Sequence, residues 1–298
     1  FTPGKAQQLS VMTLRNGATV YIWEDKSKPD VFGMIAFKVG SVDDPEQYTG
    51  LAHYLEHVMF KGTQTIDALD WEKEKPIYEK IIAKYDERAA LSDPAAREAV
   101  DKEINDLTRE AAQYAAGNEF SLLVDHMGGQ GLNASTGYDQ TEYHNSFPPS
   151  QLEKWLEIYS ERLIDPVFRG FQTELEAVYE EYNMYNDDRG SRMREFIYEQ
   201  AFGDHPYARP IIGLPEHLKN PQLSKLIDFY NTWYGPQNMS IILVGNIDAK
   251  EAIPMIRDKF ERVPRRAEIH REKKPVRQFK GRTEKSAKIF YYPMLALI

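Results

Sequence analysis

The chain has no cysteine. Disulfides and thiolate metal sites are therefore excluded, and histidine and carboxylate remain as the ligands for any transition metal; the redox state of the compartment is left open. No run of about 18 apolar residues is present, so no membrane-spanning helix is expected. Positive charge is in deficit, with 37 Lys and Arg against 46 Asp and Glu, a net charge of -9 and a pI near 5.4. A nucleic-acid partner would call for a basic face, so none is expected. There is no short-period repeat. An initiating Met is missing too. The chain opens at Phe1, from which the expectation is a trimmed chain or a mature protein that has lost a secretory signal, with the bacterial periplasm as compartment.

What is there suffices for one large domain or two modest ones with a sizeable core: 298 residues, 42% hydrophobic. Apolar and polar residues alternate over Leu9 to Leu14, over Ala18 to Trp23 after the turn pair Asn16-Gly17, and over Val31 to Val39. The pattern predicts a hairpin and a third antiparallel strand. Gly50 opens a helix over Leu51 to Phe60, which Lys61 and Gly62 close. From Ala68 to Gly117 the chain turns to Glu, Lys, Ala and Arg, broken at Ser92-Asp93-Pro94, and predicts a charged αα-hairpin, either a solvated insert or a lid or partner surface. Leu132 to Phe147 reads as polar strand. Helices are expected at Pro149 to Leu163, Thr173 to Tyr185, Arg189 to Phe202, Pro221 to Tyr234 and Ala249 to Phe260, with a strand at Met239 to Val244. The expected division is a domain over residues 1–263, with the hairpin (68–117) inserted. Residues 264–298 then form a basic linker and the start of an incomplete second domain, including a strand from Lys288 to Tyr292.

Chemistry concentrates in His53-Tyr54-Leu55-Glu56-His57. On a helix, residues four apart share a face, so both imidazoles can reach one ion. Glu56 is rotated partly off that face, where it can touch a water beside the metal and act as general base. Catalytic zinc usually takes three protein ligands and keeps one position open, so a third ligand must come from elsewhere. The run Thr173 to Glu181 is the best source. Thr173 with Glu176 predicts a capping box at the helix start. Glu174 and Glu181, seven apart, share a face, with Glu181 as ligand and Glu174 in support of catalysis. The alternative for both is an acidic, solvated helix face. His126, His144, His205, His217 and His270 lack ligand spacing and read as hydrogen-bonded or surface residues. Asn133 follows a Gly-rich turn in a polar strand, whose exposed edge could pair with an extended peptide.

These segments together resemble the pitrilysin or insulinase family, relatives of the mitochondrial processing peptidase. The resemblance rests on His53 to His57 followed by Phe60-Lys61-Gly62-Thr63, on Leu132-Asn133-Ala134-Ser135-Thr136, on Glu174 to Glu181, on His205-Pro206-Tyr207 through Gly213, and on Tyr234 to Met239. It implies an α+β fold, an antiparallel sheet flanked by helices, and one Zn2+ per chain held by His53, His57 and Glu181. It also implies Asn133 and Ala134 on the strand that aligns substrate, and hydrolysis of peptides or unfolded segments with Glu56 as base. Two departures stand out. The stretch from His57 to Glu181 is longer than in the family, by the hairpin. Family members also close a chamber with a homologous second half, in the same chain or a partner subunit, and this chain does not contain one. A non-catalytic peptide-binding or assembly subunit is therefore the alternative; a zinc-stabilised scaffold would want a fourth ligand.

Overall fold

A computed structural model describes residues 8–289 apart from 272, 273, 276, 280, 282 and 283. Six strands form one sheet: β1 (Gln8–Thr13), β2 (Thr19–Glu24), β3 (Val31–Phe37), β4 (Gln130–Thr136), β5 (Thr141–Phe147) and β6 (Met239–Gly245). Their order is β1-β2-β6-β3-β5-β4, which leaves β4 at an edge. Along β3, β5 and β6, buried and half-buried residues alternate one by one. A strand turns successive side chains to opposite faces, and in this sheet one face is packed by helices.

The helices are α1 (Leu51–Val58), α2 (Trp71–Ala90), α3 (Pro94–Ala111), α4 (Glu119–His126), α5 (Leu152–Glu161), α6 (Phe171–Asp187), α7 (Arg189–Phe202), α8 (Pro215–Leu218), α9 (Leu223–Trp233) and α10 (Ala249–Phe260). The α+β architecture expected from the sequence, a sheet flanked by helices, is present. Three local expectations need correction. First, β3 does not lie beside the β1–β2 hairpin: β6 runs between them, parallel to β2 and antiparallel to β3, so an otherwise antiparallel sheet has one parallel pair. Alternation reports which face is buried and carries no information about which strand is the neighbour. Second, the polar stretch from Leu132 to Phe147 is two strands around a turn closed by Gly137 N–H donating to Gln140 O at 2.7 Å, and α4 precedes it. Third, α6 begins at Phe171, two residues before Thr173, with Gly170 in the left-handed region (φ 61°) as its cap and no side-chain capping bond. Of the strand expected at Lys288 to Tyr292, Lys288 and Ile289 carry no strand, and the remainder lies outside the described residues.

The charged αα-hairpin is formed by α2 and α3. It does not float in solvent: α2 buries Glu74, Ile77, Ile81 and Tyr85. The Tyr85 ring meets Phe171 edge-on, and its hydroxyl donates to Gln172 Oε1. Between the hairpin and α6 lies a cleft of about 540 Å³ bordered by Asp101, Gln172, Glu176 and Tyr179. At 100° per residue these α6 positions lie on the opposite side of the helix from Glu174 and Glu181. The hairpin is thus a buttress behind α6 and not a lid over its acidic face.

Its anchor is a buried ion pair. Arg169, next to the α6 cap, donates from Nε and Nη2 to the two oxygens of Glu74 at 2.6 and 2.8 Å, and from Nη1 to the carbonyls of Lys61 and Ile66 at 3.2 and 3.4 Å. One guanidinium therefore joins the hairpin to the segment leaving α1 and the segment entering α6. Removing one partner of such a pair strands a buried charge. Glu74→Ala is expected to cost roughly 3–5 kcal/mol of stability in urea unfolding. The double change Glu74→Met with Arg169→Met is expected to recover most of it, and if both variants lost equal stability the pair would not be the anchor.

Candidate metal centre

The site is built on α1. Ala52, Leu55 and Val58 are fully buried and Tyr54 nearly so, and each large apolar side chain so placed contributes about 1.5–3 kcal/mol to holding the helix. Gly50 caps the N-terminus at φ 89°, a conformation that favours glycine; a side chain there would also strike the carbonyl oxygen of Ile212. Asp44 satisfies the first free amides, accepting from Gly50 N–H at 2.7 Å and Ala52 N–H at 2.9 Å. Burial pushes the Asp44 carboxyl up to about 7, against the amides and Arg209, which favour the anion. At the other end the buried Arg162 donates from Nη2 to Met59 O at 3.0 Å. Its guanidinium lies 4.4 to 4.8 Å from the ring centres of Phe120, Tyr143 and Phe60.

Helix α6 faces α1. It buries Phe171, Leu175 and Val178, spaced three and four apart, and this turns the neighbouring stripe, Glu174 and Glu181, toward the histidines. Nε2 of His53 lies 3.6 Å and Nε2 of His57 3.5 Å from the same oxygen, Oε2 of Glu181. The three residues offer donor atoms that all lie within 4.8 Å of one another. Ligands at about 2.0 to 2.2 Å from a tetrahedral ion stand about 3.3 to 3.6 Å apart, so the two measured separations are those of a tetrahedron's edges. Two neutral nitrogens and one carboxylate are a donor set that zinc accepts. The side chains present fit that ion.

Around this trio the charges are ordered. Glu174 does not join it; its Oε2 lies 3.5 Å from Nδ1 of His57, while its Oε1 meets Lys61 Nζ at 2.5 Å. Hydrogen bonding to His57, opposed by burial and assisted by Lys61, lowers the Glu174 carboxyl. At His57 burial disfavours the cation, but bonds to Glu174 and Glu181 outweigh it and lift the imidazole to about 9. His53 behaves oppositely: burial and the neighbouring His57 lower it to about 4. The site thus keeps one imidazole neutral and concentrates two carboxylates around the other, an environment that favours a cation. Glu56 is buried, and burial raises its carboxyl despite a 2.5 Å bond from the Thr136 hydroxyl to Oε2.

Of the residues singled out in sequence, His53, His57 and Glu181 come together, Glu56 lies on the same helix turn as the two histidines, and Glu174 meets His57. Asn133 and Ala134 lie on the edge strand β4, paired with His144 and Tyr143 of β5, and the strand ends at the Thr136 that meets Glu56. Among the remaining histidines, His217 Nδ1 meets Thr49, His205 caps Tyr207 N–H, and His144 packs on Phe32. Sequence reasoning missed the parts played by Lys61 and Thr136. Lys61 was read as a helix-end residue, although it stands four after His57; Thr136 shares the strand face of Ala134, two residues away, which was the available signal.

Fold and site together define a metallopeptidase-like protein. Residues 19–75 and 107–214 match the family described as Insulinase (Peptidase family M16), and residues 222–295 match the Peptidase M16 inactive domain. The chain belongs to the M16 insulinase family. It is 25% identical over 270 residues to the probable zinc protease PqqL of Escherichia coli, covering 87% of this chain and 23% of that protein. To the zinc protease PqqE of Helicobacter pylori it is 24% identical over 254 residues, 84% of this chain and 46% of the other. The crystal structure of the first half of the periplasmic protease PqqL superposes with a TM-score of 0.67 at 25% identity, over 91% of this chain and 50% of that one. Pitrilysin shares the fold with a TM-score of 0.67 at 22% identity, over 92% of this chain and 25% of its own. The chain spans roughly a quarter to a half of the length of these relatives.

The roles assigned to the two glutamates of α6 separate experimentally. Glu181→Ala removes a donor atom and is expected to abolish stoichiometric zinc binding. Glu174→Ala leaves the three donors in place and is expected to weaken zinc by about ten- to a hundredfold, the usual effect of losing a group that orients a ligand. Chelator competition measures both; equal losses would place Glu174 among the ligands.

Proposed function

We propose that this chain is the metal-bearing part of a zinc-dependent endopeptidase that hydrolyses peptides or unfolded polypeptide segments. The observation that carries the reading is the convergence of both imidazole Nε2 atoms on Glu181 Oε2, with the Glu56 carboxylate on the same helix turn. His53, His57 and Glu181 would hold the ion. When bound, zinc polarises a carbonyl and lowers the pKa of water to about 7. Glu174 holds the second nitrogen of His57 and so fixes the plane of that ring. Glu56 takes a proton from the attacking water and returns it to the leaving amine nitrogen, the general base serving later as general acid. Its raised pKa suits both halves of that task.

Substrate would enter at β4. Asn133 is exposed and Ala134 half-buried on this edge, where unpaired backbone groups can add an extended chain as a further strand, so folded substrates are disfavoured. The names of the relatives, zinc proteases among them, support the reading. One relative is described as periplasmic, which supports a periplasmic location. The division into a peptidase domain over 1–263 with an inserted hairpin, followed by a segment leading into a further part, belongs to the same proposal. The family match skips 76–106, within the hairpin, in keeping with it. A homologous second half, in the same full-length chain or a partner subunit, completes the chamber.

Glu56→Gln, made in the full-length protein, is expected to reduce cleavage of a quenched fluorescent peptide library by at least about 10² to 10⁴, the usual contribution of a general base, with zinc content unchanged at about one per chain. Normal turnover in that variant would remove Glu56 as the base. Full zinc with no cleavage by the wild type would instead favour a peptide-binding subunit.

A further inference from the structure

Glu56 has one side-chain hydrogen-bond partner among the described residues, and it comes from the edge strand. Thr136, the last residue of β4, donates its hydroxyl to Glu56 Oε2 at 2.5 Å. One carboxylate oxygen is thereby engaged by the strand. The terminal torsion of a glutamate is broad and roughly two-fold, so without a partner the carboxylate plane would turn freely. A base displaced by about 1 Å from its working position costs on the order of a hundredfold in rate.

The frame that carries Thr136 is rigid and is tied to the helix that carries Glu56. Thr136 pairs with Thr141, whose hydroxyl donates to Val39 O at 2.9 Å. In the turn between these strands, the carbonyls of Gly137 and Tyr138 accept from Ser41 N–H and Val42 N–H, each at 3.1 Å. Gly40 lies so close to those two carbonyls that it has no room for a side chain. The same short loop then supplies Asp44, the N-terminal anchor of α1. A continuous run of hydrogen bonds therefore links the end of β4 to the start of α1 and fixes Thr136 relative to Glu56.

We propose that Thr136 is a positioning residue that couples the orientation of the general base to the strand on which substrate is aligned. The inference rests on the peptidase reading and deepens it: a peptide added along β4 bears on the same backbone that holds the base.

The test uses Thr136→Val, which keeps the shape and removes the hydroxyl, and Thr136→Ser, which keeps the hydroxyl, both in the full-length protein. In Thr136→Val, kcat is expected to fall about ten- to a hundredfold, with KM, zinc content and melting temperature unchanged. Thr136→Ser is expected to restore most of the loss. Crystal structures of the two variants supply a readout independent of activity: the Glu56 carboxylate should be rotated or split between orientations in the Val variant and held in the Ser variant. An unchanged kcat in Thr136→Val, a Glu56 carboxylate that stays in place there, or parallel losses in kcat, KM and stability for both variants would overturn the proposal. If the wild type proved inactive on peptides, the peptidase reading would fall, and the crystal structures would still decide whether Thr136 holds Glu56.

Discussion

Everything in the site depends on how α1 is held. Two of its side chains must face α6, a third must face β4, and a rotation of the helix by a fraction of a turn would lose all three together. Eight residues are too few to be helical on their own propensity, so the surroundings must supply both the helix and its rotation. The fold does this by placing one buried ionisable group at each end. Asp44 accepts the first amides, and Arg162 donates to the carbonyl of Met59, just past the last turn. The placement suits the helix macrodipole, with an accepting carboxyl group at the positive end and a donating cation at the negative end. The aromatic cage around Arg162 replaces part of the hydration that burial removes.

The partner helix is set by a second buried cation. Arg169 bridges the segment after α1 and the segment before α6 through two carbonyls, and its bidentate contact with Glu74 neutralises it. The separation of α1 from α6 is thereby fixed where both chains enter the site. The electrostatics of the donors follow from that separation. These helices hold a carboxylate oxygen about as far from two imidazole nitrogens as tetrahedral ligands stand from one another. Glu174 and Lys61 extend it outward, with the ammonium balancing a carboxylate that would otherwise add a further negative charge beside Glu181.

Much of this could be read from residue spacing. Four-residue and seven-residue intervals on two helices specify faces, and faces are what brought His53, His57, Glu174 and Glu181 into register. The ranges of α7 and α10 were legible for the same reason, since their caps and periodicity agree. What escaped was information that lies between segments. The insertion of β6 between β2 and β3 depends on which strand the returning chain meets, and alternation is silent about that. The start of α6 was displaced because Thr173 and Glu176 satisfy a local capping pattern, whereas Gly170 can take the left-handed turn that the tertiary path requires. Helix α4 falls between the expected hairpin and the expected strand, and its eight residues, of which only Phe120 and Val124 are buried, are too few for a clear period. Thr136 belonged to a recognised segment, yet its partner is 80 residues away in sequence.

The hairpin shows how a fold tolerates a long addition so near its chemistry. Lengthening a connection costs little closure entropy, because that term grows only with the logarithm of length. The greater risk is geometric: an unanchored segment between α1 and α6 would let the helices that carry His53, His57 and Glu181 drift. Here α2 returns an apolar stripe to the body of the protein and places Glu74 against Arg169, so the insert contributes to the constraint it could have loosened. Because it packs on the side of α6 opposite Glu174 and Glu181, it also leaves β4 open along its edge. Substitutions on the solvated face of α3 should consequently be felt by stability and solubility before they reach His53, His57 and Glu181.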